Sequence, residues 1–442
     1  MRRGPFHDWR NVVYLLYDLL LILAGLGLIP YYLLRGLKYG KSRRGIRDRL
    51  GLYAAGHLAP LDGRKVIWVH AVSVGETRAA VPLLEGLRRA HPDHAIVLSN
   101  VTETGHAIAA ELDCVDLCLF FPFDISVVIR RVLGRIRPEL IVLVETEIWP
   151  NFVRLAHRRG IPVALVNGRI SDRSYPRYKR FRLLLRPILD CIELYAMQTE
   201  LDAERIHDLG AGRDRIGVSG NLKFDMGSPV FETGETDLFR TLLGLAPEQV
   251  LLVAGSTHDG EEELLVQAYR SCLETNPGFR LMLVPRHPER TPEVAGMITQ
   301  SGLQTRLRSQ CEGLPLDAET ILIGDTLGEM LKFYDLADIV FVGGSLVPVG
   351  GHNILEASLL QKPVLFGPHM NNFREISRLV LFARGGRQVN DLSDLVRVLN
   401  EMLAHPEQRE RMGRAGKALL DRHAGATDRS LELLSVLLER RG

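Results

Sequence analysis

The sequence is short of cysteine, short of aromatic residues and without a surplus of charge. Its five cysteines (Cys114, Cys118, Cys191, Cys272 and Cys311) are odd in number, widely spread and contain no CxxC pair. That argues against a zinc ribbon, a thioredoxin-like site or a disulfide framework, and fits a reducing compartment. Lys and Arg number 55 against 53 Asp and Glu, a formal net charge of +2. A general nucleic-acid binder carries a marked basic excess, so no nucleic-acid partner is expected. Catalytic signatures are missing too. There is no GxxxxGK[ST] phosphate loop, no GxGxxG after the first strand, no HExxH and no Asp-x-Asp at a strand end. A dinucleotide-dependent dehydrogenase is disfavoured, and nothing in the pattern requires a metal.

What is present is apolar substance in a long chain. Hydrophobic residues make up 46% of 442 residues and charged residues 24%, enough for two folded domains plus an extra segment. The extra segment is N-terminal. Val12–Leu34 is a 23-residue run with one charge, Asp18, and one proline, Pro30. As a helix rising about 1.5 Å per residue it could cross a hydrocarbon core of roughly 30 Å. Arg35, Lys38, Lys41, Arg43, Arg44, Arg47 and Arg49 follow, with Asp48 the only acid among them. Such a flank keeps the following chain on the cytoplasmic side and offers a landing pad for anionic lipid. Asp18 weakens a spanning reading, because a carboxylate at the bilayer centre costs about 2.5–3.5 kcal/mol. A spanning or interfacial anchor is expected over a cleaved signal peptide or a buried core helix. The signal-peptide reading fails on the long apolar core and on arginines where small residues should mark cleavage.

From Lys65 onward, short continuous apolar runs alternate with helical patterns. Strands are predicted at Val66–Val69, Ile96–Leu98, Leu117–Phe121, Leu140–Val144, Val163–Val166 and Leu194–Met197. After a weak stretch over Phe224–Asp237 the pattern restarts at Val250–Ala254, Leu281–Val284, Ile321–Ile323, Ile339–Val342 and Val364–Phe366. Uninterrupted apolar strands between helices indicate parallel sheets covered on both faces. The expected fold is α/β: a membrane anchor and basic flank over 1–40, a Rossmann-like domain over 41–226, and a second over 227–442 that includes the C-terminal helices. The two are expected to face each other across a cleft, with ligands outside the carboxyl ends of the strands.

Five constellations sit at those ends. In His70–Glu76 (HAVSVGE), Glu76 could be a general base. Ser73-x-x-Glu76 reads equally as a capping box, and a helix N-terminus should lower the Glu76 pKa and weaken it as a base. Glu145 and Glu147 (ETEIWPN, 145–151) follow a buried strand, where they serve a site or a solvated loop. Lys223 (GNLKFD, 220–225) could neutralise a phosphate or be an exposed linker residue. Three strands of the second domain end in GSTH (255–258), PRHPER (285–290) and GDTLGE (324–329). Last, Gly343-Gly344-Ser345 and Gly350-Gly351-His352-Asn353 lead into Ile354-Leu355-Glu356. There, glycines allow close backbone approach, a helix start offers free N–H groups to a phosphate, and Glu356 could accept from ribose hydroxyls. A plain turn and a helix-dipole charge are the plainer alternatives.

HAVSVGE (70–76), ETEIWPN (145–151), GNLKFD (220–225), STHDGEE (256–262), VPRHPER (284–290), GDTLGE (324–329) and FVGGSLVPVGGHNILE (341–356) together resemble the 3-deoxy-D-manno-octulosonic acid (Kdo) transferases. The resemblance runs from the N-terminal segment to about Phe373. It implies GT-B architecture and inverting transfer of Kdo from CMP-Kdo to a lipid A precursor at the cytoplasmic face of the inner membrane. It implies Glu76 as general base, and Glu145 and Lys223 as transition-state residues. Pro285, Arg286, Leu327, Gly328, Glu329, Asn353, Ile354, Leu355 and Glu356 are the implied CMP contacts. The implied partners are CMP-Kdo, a lipid A precursor and anionic inner-membrane lipid. No cofactor or metal is implied, CMP-Kdo being a donor substrate with one phosphate. One departure is Asn221, where some relatives carry Ser. Another sugar-nucleotide transferase or epimerase using a uridine nucleotide is the main alternative, and a membrane-tethered binding protein is a weaker one.

Overall fold

A computed structural model describes residues 14–24, 44–227, 231 and 234–439. The chain divides into two compact units, Met1–Met226 with Ala424–Gly442, and Gly227–His423.

The first unit is built on seven parallel strands: β1 (Val66–His70), β2 (Ala95–Asn100), β3 (Leu117–Phe120), β4 (Leu140–Val144), β5 (Val163–Gly168), β6 (Leu194–Met197) and β7 (Ile216–Val218), in the order β3-β2-β1-β4-β5-β6-β7. Every residue of β1, β2, β4, β5 and β6 is buried. The alternation of side chains along a strand divides them between two cores. Val66, Trp68, Val97, Ile141 and Leu143 enter one. Ile67, Val69, Ile96, Leu98 and Val142 enter the other, together with Ala80, Leu83, Leu84 and Leu87 from the helix Val74–Ala90.

The second core also takes Ala426, Leu434 and Leu437 from the final helix, Ala426–Glu439. This corrects the expectation that all the C-terminal helices belong to the second domain. Asp225 accepts from the Gly425 N–H (2.7 Å) and from the Thr427 N–H, and Arg429 Nε donates to the Ser219 carbonyl (2.7 Å). The helix thus covers apolar sheet surface that would otherwise face water, and the start of that helix is tied down by a carboxylate about 200 residues earlier.

The expected N-terminal segment lies largely outside the described residues. Residues 14–24 are helical, and among the described residues no helix is long and apolar enough to cross a membrane. Asp18, expected as a cost inside a bilayer, is instead a docking group. Its Oδ1 accepts from the Ser126 N–H (3.0 Å), at the start of the helix Ser126–Ile136, and from Asn151 Nδ2 (2.7 Å). The Tyr17 hydroxyl donates to Asp124 (3.1 Å), and Arg154 lies 4.0 Å over the Tyr14 ring. Leu15, Leu16, Leu19, Leu20 and Leu23 remain exposed. Of the basic flank, residues up to 43 lie outside the described residues. Arg49 is not on an open surface. It donates to the Val101 and Phe121 carbonyls and lies over the Phe120 ring.

The second unit repeats the parallel plan with β8 (Val250–Thr257), β9 (Phe279–Pro285), β10 (Gln304–Leu307), β11 (Thr320–Ile323), β12 (Ile339–Val342), β13 (Val364–Phe366) and β14 (Gly386–Gln388), in the order β10-β11-β9-β8-β12-β13-β14. Both sheets have a central reversal of strand order, between β1 and β4 in the first and between β8 and β12 in the second, where β11 also lies inside β10 at the edge. Those reversal points are where such sheets open a crevice at the carboxyl ends of the strands.

Candidate functional site

In the first unit the reversal point carries carboxylates. Ser73 caps the helix Val74–Ala90, its Oγ accepting from the Glu76 N–H. Glu76 Oε2 accepts from the Val72 N–H (2.6 Å), and Oε1 accepts from the Ser73 hydroxyl (3.1 Å). The capping box therefore exists, with its return bond to the residue before the cap. The expectation that the helix start lowers the Glu76 pKa is not met. Burial pushes it up to about 7, and the charges of Glu145 and Glu147 add to the rise against the two hydrogen bonds. Partial desolvation beside like charges outweighs the helix terminus. Glu147 is also raised, by burial and then by Glu145.

Glu145 follows β4 with φ +60°, a left-handed conformation uncommon for a residue with a side chain. Its N–H donates to the Val166 carbonyl (2.9 Å), and Lys223 Nζ pairs with its Oε1 at 3.3 Å. Lys223 is thus not a loose linker residue. It lies in the short turn Leu222–Phe224, where Asn221 Oδ1 accepts from its N–H (3.0 Å) and buried Asn167, itself at φ +57°, accepts from the Leu222 N–H (3.1 Å). The structure therefore brings Glu76, Glu145 and Lys223 to one set of strand ends.

A buried support joins the HAVSVGE and ETEIWPN segments. Trp149 Nε1–H donates to His70 Nε2 (3.2 Å), so that nitrogen carries no proton and Nδ1–H faces the Ser99 carbonyl (3.0 Å). His70 stacks on Phe121 at 3.9 Å between centroids, and burial drives its pKa down to about 3. It is a neutral brace rather than a proton carrier.

In the second unit the strand ends carry glycine, histidine and arginine. Pro285 closes β9 and is buried, while Arg286 is exposed and its N–H donates to the Thr257 carbonyl (3.0 Å). Leu327 is 82% exposed, an unusual position for a leucine, and Gly328 beside it has φ +81°. Glu329 pairs with Arg308 Nη2 (2.8 Å). Asn353 Oδ1 accepts from the Leu355 N–H (3.2 Å), and its Nδ2 donates to Glu356 (3.4 Å). Ile354 and Leu355 have wholly buried side chains, so only their backbone could meet a ligand.

The sequence reading missed Glu261. It is fully buried and accepts four backbone N–H bonds, from Ser345 and Leu346 (both 2.9 Å) on Oε1, and from Gly344 (2.7 Å) and His258 (3.0 Å) on Oε2. The Gly344, Ser345 and Leu346 amides, beside the glycines expected to allow close ligand approach, are thus already taken by this carboxylate. Adjacent Glu262 accepts from the Thr257 hydroxyl and Arg290 Nη1, both at 2.9 Å. The doubled acid in STHDGEE was the available signal. Among the described residues no group of three or more His, Cys, Asp or Glu could hold a metal ion.

A family model described as 3-Deoxy-D-manno-octulosonic-acid transferase (kdotransferase) matches residues 44–226. The 3-deoxy-D-manno-octulosonic acid transferase of Haemophilus influenzae is 35% identical over 422 residues, covering 95% of this chain and 96% of its own. The chain belongs to the Kdo transferase family. It is accordingly a glycosyltransferase. Among solved structures, UDP-GlcNAc 2-epimerase from Neisseria meningitidis, bound to UDP-GlcNAc, aligns with a TM-score of 0.58 at 14% identity, over 84% of this chain and 99% of its own. At that identity the likeness shows the fold alone, two parallel α/β units of the GT-B kind. The C-terminal CMP-Kdo binding domain of WaaA from Acinetobacter baumannii is 31% identical over 42% of this Kdo transferase and 96% of its own chain, with a TM-score of 0.39.

Proposed function

We propose that this Kdo transferase moves Kdo from CMP-Kdo to a lipid A precursor, lipid IVA, with inversion at the anomeric carbon and release of CMP. The first unit supplies the base and the second holds the nucleotide. Glu76 removes the proton of an acceptor hydroxyl as that oxygen bonds to the anomeric carbon. The bond from that carbon to the phosphate oxygen breaks, and CMP departs with the electron pair. Lys223 and Glu145 stabilise developing charge. Pro285, Arg286, the 327–329 turn and Asn353–Glu356 take the CMP portion, with Ile354 and Leu355 contributing backbone only. No metal is assigned, because CMP carries a single phosphate for arginine and lysine to meet.

The observation that carries this reading is Glu76: half-buried at a strand end beside two further carboxylates, with a pKa of about 7. A base works best when its pKa is near the working pH. The proposed location is the cytoplasmic face of the inner membrane, with the N-terminal helix as anchor against anionic lipid. The leucines exposed on residues 14–24, on a helix whose Tyr17 and Asp18 hold to the domain, support that location. Mass spectrometry of products from purified protein, CMP-Kdo and a tetra-acylated lipid A precursor tests the whole reading. The expected result is an acceptor heavier by Kdo. No adduct, or turnover of a uridine donor instead, would overturn it.

A further inference from the structure

The strand ends of the second unit hold a histidine pair that the nucleotide contacts do not use. His258 Nε2 and His352 Nε2 lie 2.8 Å apart, with the rings within 6° of parallel and their centroids 5.1 Å apart. Two imidazoles in this geometry share one N–H···N bond, so one ring fixes the tautomer and direction of the other. His258 belongs to the loop after β8, and His352 to the loop after β12. These are the neighbouring strands at which the sheet order reverses, the place a ligand occupies in such sheets.

The pair is built in. Gly344 has φ +64°, and a Cβ there would come 3.1 Å from the His352 ring and 3.3 Å from the His258 ring. The rings therefore pack over Gly344, where a side chain would crowd them. Glu261 binds the backbone of both His258 and Gly344, which fixes the two loops to one carboxylate. Both histidines are only half-buried. His287 stands 6.1 Å from His258 between ring centroids, and Arg286 hangs from the Thr257 carbonyl. The pair thus lies among the cationic side chains Arg286 and Arg290, whose charges act on His258, a setting that suits an anion.

We propose that His258 and His352 act as one unit that hydrogen-bonds an anionic oxygen of the donor, in its sugar-acid and phosphate half. This deepens the function proposed above and rests on its cytidine-nucleotide donor. Kdo bears a carboxylate and CMP a phosphate, and either presents the same chemistry, a charged oxygen that accepts from imidazole N–H.

Binding affinity of the full-length protein for cytidine, CMP and CMP-Kdo tests this, with wild type, His258→Asn, His352→Asn, the double variant and Gly344→Ala. Cytidine affinity should stay within twofold. CMP-Kdo affinity should fall at least tenfold in each single histidine variant, and the double should be no more than twofold weaker than the poorer single. Gly344→Ala, which displaces the rings and leaves both histidines in the chain, should weaken CMP-Kdo likewise. A parallel loss with CMP identifies the phosphate as the bound oxygen, and retained CMP affinity identifies the carboxylate. The assignment fails if CMP-Kdo binding stays within twofold in both histidine variants, or if cytidine weakens equally. Wild type that does not bind CMP-Kdo at all sinks the donor reading and this assignment together, whereas binding wild type with unaffected variants sinks the assignment alone.

Discussion

Glu76 and Glu261 are the same residue type at corresponding places, after the first strand of each unit, and they meet opposite fates. Glu261 is enclosed and receives four backbone N–H bonds, so it serves as a fixed internal anion around which the glycine turn is folded. Glu76 receives one backbone N–H and one hydroxyl, and its other neighbours include carboxylates. The donors around a glutamate at a strand end separate a carboxylate enclosed by amides from one whose pKa is pushed up by burial and like charge. The wider contrast follows the same rule. The first unit gathers acids that compete for protons, and the second gathers glycines, imidazoles and arginine that suit a negatively charged ligand.

The contrast can be broken from either side. The largest effect expected short of Glu76 itself is at Lys223. Lys223→Ala removes the cation bound to Glu145, and a fall in kcat of roughly 10²-fold is expected, with CMP affinity unchanged. Equal loss of CMP binding would show that the division of labour is wrong. Next comes the donor side. Glu356→Ala should weaken CMP binding by about tenfold, near 1.4 kcal/mol, and leave the pH profile of transfer unaltered.

The pH profile sharpens the comparison further. If Glu76 is the base, kcat/KM rises with pH through an apparent pKa near 7. Glu145→Gln deletes a like charge, so this limb should move to lower pH. Glu147→Gln should move it the same way by less, following the order of their contributions. A limb that stays in place in both variants would separate Glu76 from the observed titration. The smallest effect is on stability. A carboxylate whose folded pKa is raised binds its proton more tightly in the native state. Its contribution is therefore favourable at low pH and is lost as pH rises from the ordinary carboxylate range through about 7. At pH 8, Glu76→Gln should melt at or above the wild-type temperature, and melting well below it would mean that the capping bonds outweigh the buried charge.

Much of this was legible in the sequence because buried parallel strands have no polar face. VIWV, LIVLV and IVFV announce themselves. The strands that escaped are the edges β7, β10 and β14, three or four residues each, whose IGV, QTRL and GRQ carry polar or small residues. The helices Tyr175–Arg180 and Arg182–Leu189 were also missed, being short, strongly basic and carrying Pro187 inside the second. The placement of the final helix was beyond local reading, since nothing within Ala426–Glu439 indicates which core it covers. That is decided by Asp225 and Ser219, far away in sequence. At the candidate site, the motifs named Glu76, Glu145 and Lys223. The upward pKa shift of Glu76 depends on burial and on Glu145 and Glu147, about seventy residues on, so spacing alone pointed the wrong way. Glu261 and the histidine pair depend likewise on contacts more than eighty residues apart.

The most direct test is single-turnover transfer by Glu76→Gln, with CMP affinity measured on the same preparation. The account predicts a rate lower by about 10²–10⁴-fold and CMP affinity within twofold of wild type. Transfer at the wild-type rate, or loss of nucleotide binding together with transfer, would contradict it.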